Sequence, residues 1–107
     1  MARTLNKKQK PSSKIIADIE AHADEIRKLG VESLDLFGSR ARGDERADSD
    51  LDVLIEYKTG KPFTLYELVR LKRYLEGLTG LTVHVSTRKG FRPAHLQRVL
   101  KESVNVL

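Results

Sequence analysis

Two aspartates near the middle of the chain have the spacing of a carboxylate pair that binds a cation. Asp52 lies near the start of a run, residues 51–57, in which alternating apolar residues predict a β-strand, and Asp50 directly precedes that run. Residues two apart on a strand share a face, with Cα atoms about 6.6 Å apart. Both carboxylates can then converge on Mg²⁺, which prefers oxygen ligands and shares its coordination shell with substrate phosphates. Such a pair is typical of metal-assisted phosphoryl transfer, although a D-x-D pair alone more often caps loop amides.

A Gly-Ser turn upstream of the pair has features that bind phosphate. Ten residues separate Ser39 from Asp50, so the pattern is G-S-x10-D-x-D. Gly38 ends a predicted strand over 34–37, and because it has no Cβ the backbone there can approach a polyphosphate closely. Ser39 adds a hydroxyl and opens about one helical turn, over 39–43, whose first N–H groups can bind an anion. A Gly-Ser pair is ordinary at a strand end, so this interpretation depends on the combination.

The combined pattern, with Ala41-Arg42-Gly43 inside it, resembles the nucleotidyltransferase superfamily named after DNA polymerase β. The resemblance is closest to the minimal nucleotidyltransferases that serve as antitoxins beside HEPN-domain toxins, and it covers nearly all of the chain after residue 13. The nucleotide-binding residues that it implies are Gly38, Ser39, Arg42 and Ser49. The catalytic residues that it implies are Asp50 and Asp52, which also bind the metal, with His84 as a third candidate.

Two arginines in the motif are expected to differ in role. Arg42 matches the arginine of the family's G-S-x-A-R-G motif and could neutralise phosphate charge. A salt bridge between Arg42 and the charged connector over 44–48 is equally consistent with the sequence. Arg40 occupies the variable position of the motif and is expected to face solvent.

The third predicted strand, over 81–86, departs from the family pattern. The family usually has a third metal-binding carboxylate there, whereas this chain has His84. A histidine between two valines is either a buried structural residue or part of the site, and the sequence leaves both open. A neutral imidazole is a poor Mg²⁺ ligand beside oxygen, so the ion nearer the attacking nucleophile should bind weakly. The consequence is a slower enzyme, an enzyme with a changed metal preference, or a protein that descends from an enzyme and binds its partner without catalysis.

The resemblance implies Mg²⁺-dependent transfer of a nucleoside monophosphate, AMP from ATP, onto an acceptor hydroxyl. Two Mg²⁺ ions are expected in the family, and the implied acceptor is a tyrosine of a HEPN-type RNase toxin. The alternative is an inert antitoxin that acts only by binding its toxin. A third interpretation, a nucleic-acid-binding module using a basic N-terminal arm and the basic loop over 88–92, lacks the interleaved aromatic residues of a stacking platform.

A helix is expected before the first strand. It begins at a serine cap within residues 11–13 and ends at Gly30. His22 lies in this helix without a partner at metal-binding spacing and is expected to be a partly exposed surface residue.

A second long helix, over 65–79, is expected between the second and third strands. It begins with a capping box of Thr64 and Glu67 and ends at Gly80. Its apolar stripe predicts core packing rather than partner binding, and consists of Leu65, Leu68, Leu71, Leu75 and Leu78.

The connections between the elements predict the sheet. A short turn makes the first two strands antiparallel, and a helical crossover makes the third strand parallel to the second. A last helix begins at Pro93, and residues 104–107 could add an edge strand. The order α-β-α-β-α-β-α predicts an α/β (α+β) fold with a small mixed β-sheet covered by helices, which is also the polymerase β-like fold that the resemblance implies.

Composition bounds the remaining possibilities. The 107 residues predict one domain over 14–107 after a disordered basic arm over 1–13. Five of the 20 basic residues and none of the 15 acidic residues precede Asp18, and four of these five lie in the arm. Most of the net charge of +5 therefore belongs to the arm, which could contact nucleic acid weakly. The absence of cysteine fits a reducing cytoplasm, the expected location. No apolar run approaches the ~18 residues of a membrane span, so no membrane contact is expected.

Overall fold

A computed structural model describes residues 13–46, 48–60 and 62–107. The helices are α1 (Ser13–Ala21), α2 (Ala23–Lys28), α3 (Ser39–Arg42), α4 (Leu65–Thr79) and α5 (Pro93–Glu102), and the strands are β1 (Val31–Phe37), β2 (Leu51–Tyr57), β3 (Val83–Thr87) and β4 (Val104–Asn105). A 3₁₀ turn, Arg88–Gly90, joins β3 to α5. Of the disordered arm predicted over 1–13, residues 1–12 lie outside the described residues, and Ser13 is the first residue of α1.

The four strands form one mixed sheet in the order β3-β2-β1-β4. The short connection makes β1 and β2 antiparallel, and the crossover through α4 makes β3 parallel to β2, as predicted. The edge strand predicted over 104–107 is present but shorter, since β4 spans Val104–Asn105 and pairs with β1. A mixed sheet with helices packed against it confirms the predicted fold class.

The prediction of a single first helix is wrong at His22. Its ring Nδ1 donates to the carbonyl oxygen of Asp18 at 2.8 Å, which is the acceptor that its backbone N–H would need to continue the helix. That N–H donates instead to the carbonyl of Ile19 at 3.0 Å, so the turn tightens and α1 ends before α2 begins. His22 is exposed, which agrees with its predicted place on the surface.

Two strands begin at other residues than predicted. β1 begins at Val31 because this residue is fully buried and pairs with Tyr57, next to a bulge. β3 begins at Val83 because Leu81 still belongs to the turn after α4, where its N–H donates to Oγ1 of Thr79 at 3.2 Å. The bounds of β2 agree with the prediction, and the predicted cap at Gly80 is confirmed by its left-handed conformation.

One face of the sheet carries the hydrophobic core. Leu51, Val53 and Ile55 alternate along β2 and are fully buried, as the period of a strand requires. Three helices cover this face, and their fully buried side chains are Ile19 of α1, Ile26 of α2, and Leu71 and Leu75 of α4. The other face therefore remains available for polar residues.

The predicted apolar stripe of α4 is wrong at its first member. Leu65 is 72% exposed, and Tyr66 and Val69 are exposed as well. At about 100° per residue, Leu65 lies about 120° around the helix from Leu71, which faces the sheet. The capping box of Thr64 and Glu67 that starts α4 is present as predicted.

Within the part of the chain that the structure describes, none of the helices is long and apolar enough to span a membrane.

Candidate functional site

The register of the sheet places two predicted site residues side by side. Phe37 pairs with Asp52, and Asp52 with His84, so the three share one face at one end of the sheet. Asp50, which precedes β2, reaches the same place, because its Oδ2 lies 2.7 Å from Nε2 of His84. The His84 side chain is 57% exposed. Of the two interpretations that the sequence left open, a buried structural histidine is therefore excluded.

Gly38 provides the space for the carboxylate of Asp52. A Cβ added to Gly38 would lie 2.3 Å from Oδ2 of Asp52. Its backbone, at φ 78° and ψ −159°, is in a region that only glycine adopts without strain. Its carbonyl accepts the N–H groups of Ala41 and Arg42 at 3.1 and 3.0 Å, which holds the predicted helical turn, α3, with Ser39 as its first residue. The glycine is therefore required by the carboxylate itself, a reason that the sequence did not reveal.

Asp52 is the less solvated of the two carboxylates. Partial burial raises the pKa of Asp52 above its ordinary value, and the nearby Asp50 acts in the same direction. Electrostatic effects of His84 and Arg42 oppose the shift in the pKa of Asp52 but do not cancel it. A cation bound between the two aspartates would favour the ionised forms of both.

The prediction that Arg40 faces solvent is wrong. Its side chain is buried, with the residue 7% exposed, and its Nε and Nη2 donate to the carbonyl oxygen of Ser49 at 3.1 and 2.9 Å. Nη2 also lies 3.4 Å from the carbonyl oxygen of Arg46. Since Ser49 directly precedes Asp50, Arg40 holds the connector that delivers the first carboxylate to the site. Only the folded connector shows this role, because the acceptors are backbone carbonyls, which leave no signal in a sequence.

Two roles were predicted for Arg42, a phosphate contact and a salt bridge to the connector over 44–48, and the structure shows the salt bridge. Its Nε lies 3.2 Å from Oδ2 of Asp44, and its Nη1 lies 3.0 Å from Oε1 of Glu102 on α5. The hydrogen bond and the charge of Asp44 are the main causes that raise the pKa of Arg42, and Glu102 adds to them. The guanidinium also acts electrostatically on Asp52. A phosphate contact by Arg42 stays a prediction.

Ser49 takes part in the connector. Its Oγ accepts the N–H of Arg46 at 2.8 Å, which closes the turn before Asp50. The predicted contact of Ser49 with a nucleotide stays a prediction, as does that of Ser39.

The two aspartates suit a cation that takes part of its shell from a substrate. No group of three or more His, Cys, Asp or Glu residues that could hold a metal occurs within residues 13–46, 48–60 and 62–107. Mg²⁺ is commonly held by one or two carboxylates together with substrate phosphates, and Asp50 and Asp52 fit that donor set. His84, hydrogen-bonded to Asp50, supplies no further anionic oxygen.

The profile of the nucleotidyltransferase domain family matches residues 19–106. The chain belongs to this family. The nucleotidyltransferase is 42% identical over 82 residues to an inferred protein adenylyltransferase of Methanocaldococcus jannaschii. The aligned residues make up 77% of this chain and 86% of that protein. It is 34% identical over 89 residues to a protein adenylyltransferase of Thermococcus cleftensis, and this alignment covers 82% of this chain and 88% of that protein.

Solved structures agree with this assignment. The structure of an inferred minimal nucleotidyltransferase has a TM-score of 0.74 at 37% identity, covering 85% of this chain and 91% of that chain. A toxin–antitoxin structure with AMP-PNP has a TM-score of 0.66 at 16% identity, and the match covers 82% of this chain and 72% of that chain. A Shewanella oneidensis complex of a tri-AMPylated HEPN toxin with MNT antitoxin has a TM-score of 0.60 at 14% identity, and the match covers 86% of this chain and 71% of that chain. The last two similarities show the fold alone. The resemblance inferred from the G-S-x10-D-x-D pattern is confirmed, and the chain is a nucleotidyltransferase.

Proposed function

We propose that this nucleotidyltransferase transfers AMP from ATP to a hydroxyl group of a partner protein. The observation that carries the proposal is the arrangement at the end of the sheet, where Gly38 accommodates Asp52 and Asp50 lies beside it, in a chain whose relatives are named protein adenylyltransferases. These relatives match over most of their own length, so the proposal does not depend on a shared fragment.

Asp50 and Asp52 would hold Mg²⁺, which when bound neutralises the triphosphate and the leaving pyrophosphate. The turn at Gly38 and Ser39 would lie against the triphosphate. In the transfer, the acceptor oxygen forms a bond to the α-phosphorus, the bond from that phosphorus to the bridging oxygen of the β-phosphate breaks, and pyrophosphate leaves. The proton of the hydroxyl passes to solvent or to a base, and His84 is the neighbouring base candidate.

The partner that we propose is a HEPN-type toxin, as in the Shewanella complex of similar fold. A second candidate function is an antitoxin that binds this partner without modifying it. One observation favours it: His84 contacts Asp50 at the place where the family usually has a third carboxylate. The two functions share the partner and differ in turnover.

Nucleotide binding is tested by calorimetry with ATP and Mg²⁺. The double variant Asp50→Asn with Asp52→Asn should lose at least about ten-fold in affinity, because both anionic ligands are removed. The exposed Asp24→Asn on α2 is the matched control and should bind as the wild type does. Equal affinity of the wild type and the double variant would contradict the nucleotide site.

Turnover is tested with labelled ATP and a purified HEPN-type protein from the same genome. His84→Asp should raise the rate of transfer if a missing carboxylate limits catalysis. If His84→Ala abolishes transfer and His84→Asp does not improve it, the imidazole is itself the base. If all three proteins transfer no label but still neutralise the toxin, the second candidate function is correct.

A further inference from the structure

Three exposed apolar residues lie together on the outer side of α4. Leu65 is 72% exposed, Tyr66 is 66% exposed and Val69 is 36% exposed, and they are the large apolar residues classed as exposed within the described ranges. Arg70 and Arg73 border them in a shallow depression of about 480 Å³. We name these five residues the α4 patch. Clustered exposed apolar residues beside polar ones are typical of a protein-binding surface.

A groove adjoins the α4 patch and has His84 in its lining. It has a volume of about 360 Å³ and lies between α4 and β3, which is an edge strand of the sheet. Val69 belongs to both the patch and the groove, and His84 lines the groove from β3. A molecule that covers the patch and follows the groove therefore reaches His84, the residue that contacts Asp50 at the edge of the sheet.

The start of β3 is closed to an added strand. Glu76 of α4 accepts the N–H of Val83 at 3.0 Å and is itself held by Lys72 at 2.5 Å. A partner would therefore occupy the groove with side chains rather than by extending the sheet at this point.

The charge of the patch restricts what can cover it. The ion pairs among the described residues include neither Arg70 nor Arg73. Arg70 lies 5.6 Å above the ring of Tyr66 and also acts electrostatically on Glu67, one turn earlier on α4. The first twelve residues of the chain contain four basic residues and no acidic residue, so they would be repelled by the arginines. Two copies joined symmetrically through the patch would bring arginines against arginines. The surface is complementary to an apolar segment that carries carboxylates.

We infer that the α4 patch and the groove dock the acceptor protein. The docked segment places apolar side chains on Leu65 and Val69 and carboxylates near Arg70 and Arg73, and the hydroxyl to be modified lies at the His84 end of the groove. This inference rests on the proposed function and names the surface that brings the acceptor to the site.

The test compares Leu65→Asp and Val69→Asp with the wild type, using a HEPN-type protein from the same genome as acceptor. Ala17→Asp, at an exposed position of α1, is the matched control for an added carboxylate on a helix. The KM for the acceptor protein should rise at least about ten-fold in both patch variants and not in the control. The kcat, the affinity for ATP with Mg²⁺, and the transfer rate to the small acceptor N-acetyltyrosinamide should stay within about two-fold.

Charge reversal tests the second half of the inference. Arg70→Glu together with Arg73→Glu should slow association with the acceptor protein, and the difference from the wild type should shrink as salt is added. An unchanged association rate would contradict the role given to the arginines.

Binding of the two proteins without nucleotide is measured separately by calorimetry. If the wild type binds no ATP but Leu65→Asp still weakens this complex, the proposed transfer fails and the docking surface stands. If the wild type transfers AMP or binds the partner and neither patch variant changes KM or affinity, the inference is overturned. It is also overturned if Leu65→Asp converts a dimer of this chain to a monomer while the KM stays the same.

Discussion

The two faces of the sheet differ in how their side chains are accommodated. On the core face, Leu51, Val53 and Ile55 are sealed from water by helices, whereas on the other face Asp52 and His84 remain partly open to it. Both faces are built from the same strands, since alternate residues of β2 point in opposite directions. The free energy of folding therefore comes mainly from one face, and the other can hold charges close together for chemistry.

A third carboxylate, that of Asp35, lies on the same face of the sheet as Asp52 but away from the site, and it is not open to a ligand. Asp35 of β1 is 5% exposed, and its Oδ1 accepts Nδ2 of Asn105 at 2.7 Å while Oδ2 lies 3.7 Å from Nη2 of Arg88. These partners bind β4 and the turn after β3 to the sheet. Asp35 is thus paired within the protein, whereas Asp50, which contacts His84, and Asp52 remain partly exposed and accessible to a ligand.

The largest expected effect is on the core face. Leu71→Ala should lower the free energy of unfolding by about 2–5 kcal/mol, because it leaves a cavity between α4 and the sheet. Urea denaturation measures this loss. Val69→Ala, on the outer side of the same helix, is the control and should change stability by only about 0.5 kcal/mol. Equal losses in the two variants would show that the faces of α4 do not differ as described.

The next largest effect is expected at Gly38, which follows β1 and lies against the carboxylate of Asp52. Gly38→Ala should cost about 1–3 kcal/mol through backbone strain alone, and the added Cβ should also displace the carboxylate of Asp52. ATP binding with Mg²⁺ should therefore be lost as well, as measured by calorimetry. Gly60→Ala is the matched control, since Gly60 has φ 84° but open space where its Cβ would lie. It should lose stability and keep its affinity; loss of affinity in both would remove the special role of Gly38.

A similar or smaller loss is expected from the buried arginine on the polar side. Arg40→Gln should cost about 1–3 kcal/mol, because the carbonyl of Ser49 loses its donors. Arg40→Lys should restore little, since an ammonium cannot reproduce the donor geometry of a guanidinium. Arg98→Gln, at an exposed position of α5, is the control and should be nearly neutral. Thermal unfolding compares the three, and full stability of Arg40→Lys would show that charge alone matters.

The smallest effect has the opposite sign. Because burial raises the pKa of Asp52, the native state binds this proton more tightly than the unfolded chain does. Its contribution to stability is present at acidic pH and is lost as pH rises through the raised pKa. Without metal, Asp52→Asn should therefore be more stable than the wild type near neutral pH, and the difference should shrink in acid. Thermal unfolding across pH checks this, and a variant less stable at neutral pH would contradict it.

The sequence by itself determined the features that depend on local periodicity and local connections. The alternation along β2 and the residue before it placed Asp50 and Asp52 together, and the lengths of the two connections made one strand pair antiparallel and the other parallel. The combination of the Gly-Ser turn with the aspartates was enough to recognise the family, because those residues must keep their spacing along the chain.

The tertiary structure decided which distant groups meet. Arg40 is buried because the connector folds back over it, and Leu65 is exposed because the sheet contacts a different side of α4. His84 reaches Asp50 only through the register of β2 and β3, and Arg42 reaches Glu102 only because α5 packs nearby. None of these contacts is encoded in a local pattern, because each depends on how separate elements pack, and packing is decided by the burial of the whole core.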